Sequence, residues 1–176
     1  MEQVLALGGG CFWCTEAVFR EVRGVIALEV GYCNGHTDKV DYEAVCTGRT
    51  GYCEVVHLRY DSAQVQLEEL LEVFFLIHDP TTLNRQGHDV GTQYRSGIYW
   101  TQQAQADRAQ AWLDAQREQG LWDRPVVTEI APLDRYQRAE EYHQDFFTKN
   151  PAQGYCLAVA APKVAKFRQT LARLRK

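Results

Sequence analysis

Six cysteines stand in this chain, at positions 11, 14, 33, 46, 53 and 156. In a sequence that shows no export signal they are expected to stay reduced, which suits packing, metal ligation or redox catalysis better than a disulfide framework. Cys11 has the placement of a nucleophile. It follows Gly8-Gly9-Gly10 and precedes a run with helical spacing, so its sulfur belongs at a strand-to-helix turn. The partial positive charge at a helix N-terminus lowers a thiol pKa from about 8.5 towards neutrality, and the thiolate is the form that attacks. Glycines let the backbone turn tightly and keep the sulfur accessible. Phe12 and Trp13 set two aromatic faces beside it that suit a small apolar group on a substrate. The plainer alternative is a cysteine packed in a turn, with the aromatics in the core.

Cys11-Phe12-Trp13-Cys14 is also a C-x-x-C at such a turn, the arrangement of thioredoxin-like disulfide oxidoreductases. Residues three apart share a helix face, so Cys14 is a candidate second thiol for resolving an oxidised Cys11. A structural zinc site wants two ligand pairs. Beyond Cys11 and Cys14 no second short-spaced pair appears among the cysteines and five histidines, so no metal is expected. A cysteine hydrolase pairing Cys11 with His143 would lack an orienting Asn or Asp.

The elements that must position these residues follow from the apolar spacing. Strands are predicted over Val4–Leu7, Val25–Tyr32, Glu54–Tyr60 and Gly97–Trp100, with a further one over Val126–Ile130. Helices are predicted over Phe12–Val22, Leu67–Ile77 and Gln102–Gln119, the last with Thr101 as N-cap and Gly120 as its stop. Two more helices are expected over Ala139–Lys149 and Lys163–Leu174. The order β-α-β-β-α-β-α points to an α+β fold: a mixed sheet with packed helices in the ferredoxin-like split βαβ order, followed by a C-terminal extension. That order is wrong for a thioredoxin. Between Pro80 and Ser96 runs a polar stretch rich in Gly, Thr, Asn and Gln, long for a structureless connection and therefore a functional candidate.

With 176 residues and 45% hydrophobic content, the chain is expected to form a single domain over residues 1–176. A net charge of −4, with both signs mixed along the length, gives no footprint for nucleic acid. Apolar runs such as Leu70 to Ile77 are too short to span a bilayer. The expectation is a cytoplasmic monomer with no membrane partner.

The run GGGCFWCTEAVF (Gly8 to Phe19) resembles the A-class methionine sulfoxide reductases, and so do Gly31-Tyr32 and TGRTGYCEVV (Thr47 to Val56). The resemblance continues in order through HDPTTLNRQGHDVGTQYRS (His78 to Ser96), EYHQDFF (Glu141 to Phe147) and GYC (Gly154 to Cys156). It implies reduction of the S-epimer of methionine sulfoxide, free or in proteins, with Cys11 as the nucleophile. A sulfoxide oxygen leaves poorly and needs a proton. By the resemblance the acid is Glu54, the hydrogen-bond donors are Tyr32 and Tyr94, Phe12 and Trp13 hold the S-methyl group, and Asp89 binds the substrate backbone. A carboxyl pressed among aromatic rings loses hydration, its pKa rises above about 4.3, and it stays protonated to donate. The resemblance also implies that the sulfenic acid on Cys11 condenses with Cys156 to a disulfide. Mobility of the segment around Cys156, between Asn150-Pro151 and Pro162, would let it reach. Thioredoxin, or dithiothreitol in vitro, then restores the thiols, and no bound cofactor is implied. Tyr142 and His143 are given no chemical step.

This sequence departs from the family pattern at three places beside these residues. Cys33 and Cys53 stand where small non-thiol residues are expected, and Tyr52 where histidine is usual. Pocket electrostatics and the disulfide route are what these changes would touch. Cys46 is read as a packing residue.

Overall fold

The computed structural model describes all 176 residues. In chain order its elements are β1 (Glu2–Gly8), α1 (Phe12–Phe19), β2 (Val25–Cys33), α2 (Tyr42–Cys46), β3 (Cys53–Asp61) and α3 (Leu67–Ile77). There follow β4 (Arg85–Gln86), β5 (Asp89–Val90), β6 (Gly97–Trp100), α4 (Gln103–Glu118), β7 (Glu129–Pro132), β8 (Gln137–Arg138), α5 (Phe146–Lys149) and α6 (Ala161–Thr170). The main sheet runs β7-β6-β1-β3-β2-β8. Its four inner strands are mutually antiparallel, β7 adds in parallel to β6, and β8 adds antiparallel to β2. β1-α1-β2 and β3-α3-β6 are thus two interleaved split βαβ units, the α+β order expected from the sequence.

Alternation along the strands sends residues to opposite faces. Leu5, Leu7, Val56, Leu58 and Tyr60 face the helices, packing with Val18 and Phe19 of α1, Leu70 and Phe74 of α3, Leu113 of α4 and Phe167 of α6. Ala6, Cys33, Cys53, Val55 and Tyr99 form a smaller cluster on the other face, covered by Ala131, Leu133 and Tyr136. Helix α3 has the bounds its spacing predicts: Leu67, Leu70, Leu71, Phe74 and Ile77 make one buried stripe, and Gln66 and Glu69 close a capping box at its start.

Several local expectations are corrected. The N-cap of α4 is Gln102, in a capping box with Gln105, whereas the Thr101 hydroxyl donates to the Val4 carbonyl at 2.7 Å. The strand expected over Val126–Ile130 lies at Glu129–Pro132, because Val127 N–H is drawn to the Pro80 carbonyl at 2.8 Å. No helix spans Ala139–Lys149. After β8, a turn at Glu141–His143 and short α5 stand in its place, with Asp145 left-handed at φ 54°. The Gln144 side chain explains the break: its amide group pairs with both N–H and C=O of Val30, each at 2.9 Å, and so extends the edge of β2. The Pro80–Ser96 stretch is not structureless, since it folds as the β4-β5 hairpin and the turn Thr92–Tyr94. Cys156 begins a π-helical turn, Cys156–Ala160, that runs directly into α6.

Candidate active site

The turn from β1 into α1 is shaped by what packs around it. A Cβ on Gly9 would stand 2.9 Å from the His78 ring, and Gly10 has φ +90°, which only glycine adopts freely. Cys11 follows as N-cap of α1 with extended backbone, and its carbonyl accepts from Cys14 N–H at 3.1 Å. On the helix face of the sheet, Tyr32 of β2 and Glu54 of β3 stand in register. Glu54 is 1% exposed, and its Oε1 accepts from the Phe12 N–H at 3.1 Å. The carboxylate therefore caps the helix that carries the thiol.

Burial pushes the Glu54 carboxyl up to about 8, against the pull of the Phe12 N–H, and the nearby Asp89 and Cys14 charges push the same way. Glu54 is thus mostly protonated at neutral pH. The Cys11 thiol is raised well above the usual thiol range, by burial first, then by its contact with Cys14 and by the Glu54 charge. This corrects the expectation that the helix N-terminus lowers it. The first amide of the short helix is taken by Glu54, leaving only the Trp13 N–H to favour the thiolate.

Phe12 is buried against Tyr32 (ring centroids 5.6 Å apart) and His143 (5.1 Å). Trp13 stacks on Phe146 at 3.7 Å, and its Nε1–H donates to Nδ1 of His143 at 3.0 Å. Nδ1 is thereby the acceptor, which puts the proton on Nε2, an atom buried without a partner. The Tyr32 hydroxyl donates to Glu140 Oε1 at 2.8 Å, and Glu140 also accepts from Tyr42 N–H. Tyr94, in the turn after β5, lies close enough to Glu54 and Cys11 that burial and both charges raise its phenol. Asp89 accepts a hydrogen bond from the Tyr155 hydroxyl at 2.5 Å, and that hydroxyl also receives the Cys14 thiol at 3.9 Å.

Cys11, Phe12, Trp13, Cys14, Tyr32, Glu54, Asp89 and Tyr94 are thus brought to one region. Cys156 is placed differently from expectation. It is fully buried in helical backbone rather than in a mobile segment, and its thiol is raised by burial and by the charge of Cys14. All six cysteines are free thiols. Cys33 and Cys53 pair in register one step beyond Tyr32 and Glu54, yet alternation turns them to the opposite sheet face, away from the pocket. Tyr52 donates to the Thr37 carbonyl at 2.9 Å, a loop contact. Cys46, expected to pack, is exposed at the end of α2. Sequence reasoning missed Glu140, assigned His143 no chemical step and gave Tyr155 no role of its own. Both of the latter lie in the EYHQDFF and GYC runs, but nothing local ties Glu140 to a tyrosine 108 positions away.

His78 supports the floor beneath Gly9. Its Nδ1 lies 2.5 Å from the Phe74 carbonyl and its Nε2 2.7 Å from the Ser96 hydroxyl, and burial pushes the ring down to about 4. Unfolded, it would titrate near about 6.5. The unfolded chain therefore takes up this proton first. Stability from His78 is present above about 6.5 and lost as pH falls to about 4, by roughly 3 kcal/mol. Urea unfolding at neutral pH and near pH 4.5 should show a smaller acid loss for His78→Gln than for the natural chain. An equal loss in both would remove His78 from this role.

Thiols gathered around one buried acid on a split βαβ frame place the protein among thiol-dependent oxidoreductases. A family model described as peptide methionine sulfoxide reductase matches residues 3–175. The peptide methionine sulfoxide reductase MsrA of Chromobacterium violaceum is 49% identical over 177 residues, covering 99% of this chain and 98% of its own. Among solved structures, Mxr1 from Saccharomyces cerevisiae in reduced form superposes with a TM-score of 0.82 at 37% identity, over 90% of this chain and 91% of that one. The same yeast protein in complex with Trx2 matches at TM-score 0.57 and 26% identity, over 81% of this chain and 84% of that one. The chain belongs to the peptide methionine sulfoxide reductase family. Its activity is the reduction of methionine sulfoxide.

Proposed function

We propose that Cys11 attacks the sulfur of an S-epimer methionine sulfoxide while Glu54 protonates its oxygen. The observation that carries this reading is the fully buried Glu54 carboxyl, held on the Phe12 N–H next to Cys11, where burial raises it to about 8. Glu54 gives its proton to the sulfoxide oxygen and recovers one from the Cys11 thiol. The attack forms a bond between the Cys11 sulfur and the substrate sulfur; passage of the protonated oxygen to Cys11 then breaks that bond and the substrate's sulfur–oxygen bond, leaving methionine and a sulfenic acid on Cys11. Tyr94, whose hydroxyl makes no hydrogen bond in the protein, is the freer phenol to steady the oxygen. Tyr32 is held by Glu140. Phe12 and Trp13 receive the S-methyl group, and Asp89 the substrate backbone.

Cys156 then displaces the hydroxyl of the sulfenic acid, forming a disulfide and releasing water. A dithiol reductant exchanges with that disulfide and is itself oxidised. The yeast neighbour solved with Trx2 supports thioredoxin in this role. No helix of the chain is long and apolar enough to cross a membrane. The buried position of Cys156 requires the start of the π-helical turn to open before it meets Cys11.

A second reading has a specific observation behind it: Cys14 touches Cys11 and also bears on Cys156, so it could take the disulfide first and pass it on. Mapping the bond formed when reduced protein meets one equivalent of methionine sulfoxide tests both. In the first reading Cys156→Ser reduces about one equivalent and then stalls with thioredoxin, while Cys14→Ser turns over nearly normally. In the second reading a Cys11–Cys14 bond forms first and both variants stall with thioredoxin, whereas stalling of Cys14→Ser with Cys156 dispensable would transfer the resolving role to Cys14 alone.

A further inference from the structure

A cavity of about 650 Å³ opens at Cys11 and Asp89 and extends well beyond the groups that handle the sulfoxide. Cys11 stands in its wall; Glu54, Tyr32 and Tyr94 do not line it. Its apolar side is formed by Phe75 and Trp122, whose rings lie 5.4 Å apart, and by Pro162 of α6. The size and the apolar lining are those of a site for a ligand segment rather than for a single methyl group.

Its charge is asymmetric. Lys163 and Lys166, three positions apart and so on one face of α6, both line the cavity. Neither takes part in any of the ion pairs of the protein. The two carboxylates in the lining are already engaged. Asp79 accepts from the Thr81 N–H and hydroxyl and faces Arg124 at 3.5 Å, and Asp89 accepts from Tyr155. Lys163 also reaches inward, since the Cys14 thiol is held below the usual range by its contact with Cys11 and further by the Lys163 charge. An apolar trough that starts at the nucleophile and ends at two unpaired cations fits a peptide that carries an anionic side chain.

We propose that this cavity receives the polypeptide flanking an oxidised methionine, and that Lys163 and Lys166 select an aspartate or glutamate within a few residues of it. The proposal rests on Cys11 being the attacked site's nucleophile, and a small substrate separates the two. Short peptides holding one S-epimer methionine sulfoxide, with Glu, Gln or Lys scanned over the three positions on either side, are compared with an N-acetylmethionine sulfoxide amide too small to reach the lysines. Partly exposed ion pairs are worth up to about 1 kcal/mol each, so the best Glu peptide should exceed its Gln counterpart in kcat/KM by about fivefold at low salt, and the difference should shrink at about 0.5 M salt. The ratio should fall to about one in the Lys163→Gln, Lys166→Gln double variant. Charge reversal with Lys163→Glu, Lys166→Glu should turn the preference toward Lys peptides. Equal rates for Glu and Gln peptides in the natural protein, or a Glu preference that survives charge reversal, would overturn the proposal. Failure of the amide and of every peptide to be reduced would instead overturn the reading of Cys11.

Discussion

Cys11→Ser is expected to abolish sulfoxide reduction with any reductant, a loss on the order of 10⁴ or more, as removal of a sole nucleophile typically gives. A serine hydroxyl is far less acidic than a thiol and forms no counterpart of the sulfenic acid, so neither the first step nor the later disulfide is open to it. The fold should not suffer. Cys11 is the N-cap of α1, and serine is a favoured residue there. A thermal unfolding curve close to that of the natural protein, beside a null assay on separated S-epimer substrate with dithiothreitol, is the expected result. More than trace activity in this variant would sink the mechanism.

Glu54→Gln should slow the reduction step by roughly 10² to 10⁴, the usual worth of a positioned acid. Glutamine keeps the shape and can still accept from the Phe12 N–H, but it has no proton to release to the substrate oxygen. The pH profile supplies the sharper check. Protonated Glu54 is the active form, so the single-turnover rate of the natural protein should fall as pH rises through about 8, and that limb should be missing in Glu54→Gln. Stability should follow pH in the same direction as activity, yet respond to the substitution in the opposite one. With its pKa raised on folding, Glu54 favours the folded state fully only below its unfolded value, and that contribution is lost as pH rises through about 8. Glu54→Gln should therefore be the more stable protein at pH 8 while being the poorer catalyst. Exchange of the preformed disulfide with thioredoxin should be little changed. An unaltered reduction rate would take Glu54 out of the chemistry, and Tyr94→Phe should cost more than Tyr32→Phe because only the Tyr94 hydroxyl is unengaged within the protein.

The frame of the site was legible because its parts are local. Leu67–Ile77 and Gly97–Trp100 fall where apolar spacing places them, since a stripe or an alternation is a property of neighbours in the chain. The stretch Ala139–Lys149 defeated the same reasoning. Gln144 spends its side chain on the edge of β2, 114 positions away, and a contact of that kind leaves no periodic trace. Cys33 and Cys53 looked like pocket residues by adjacency to Tyr32 and Glu54. Pleating alone turns them to the far face, and only the strand pairing shows which face carries the site.

What the sequence by itself determined is the identity of the reacting groups and the turn that holds the nucleophile: a cysteine after three glycines, aromatic neighbours, and ordered motifs around an acid and a distant cysteine. The protonation states and the reach of each thiol were decided by tertiary structure alone. Desolvation depends on every group packed around an atom, whatever its distance in the chain, so the raised Cys11 thiol, the protonated Glu54 and the neutral His78 exist only once the sheet and helices close over them. Likewise a buried helical Cys156 that feels the charge of Cys14, and two unpaired lysines lining the cavity that Cys11 also lines, follow from how α6 docks on α1, which no local pattern records.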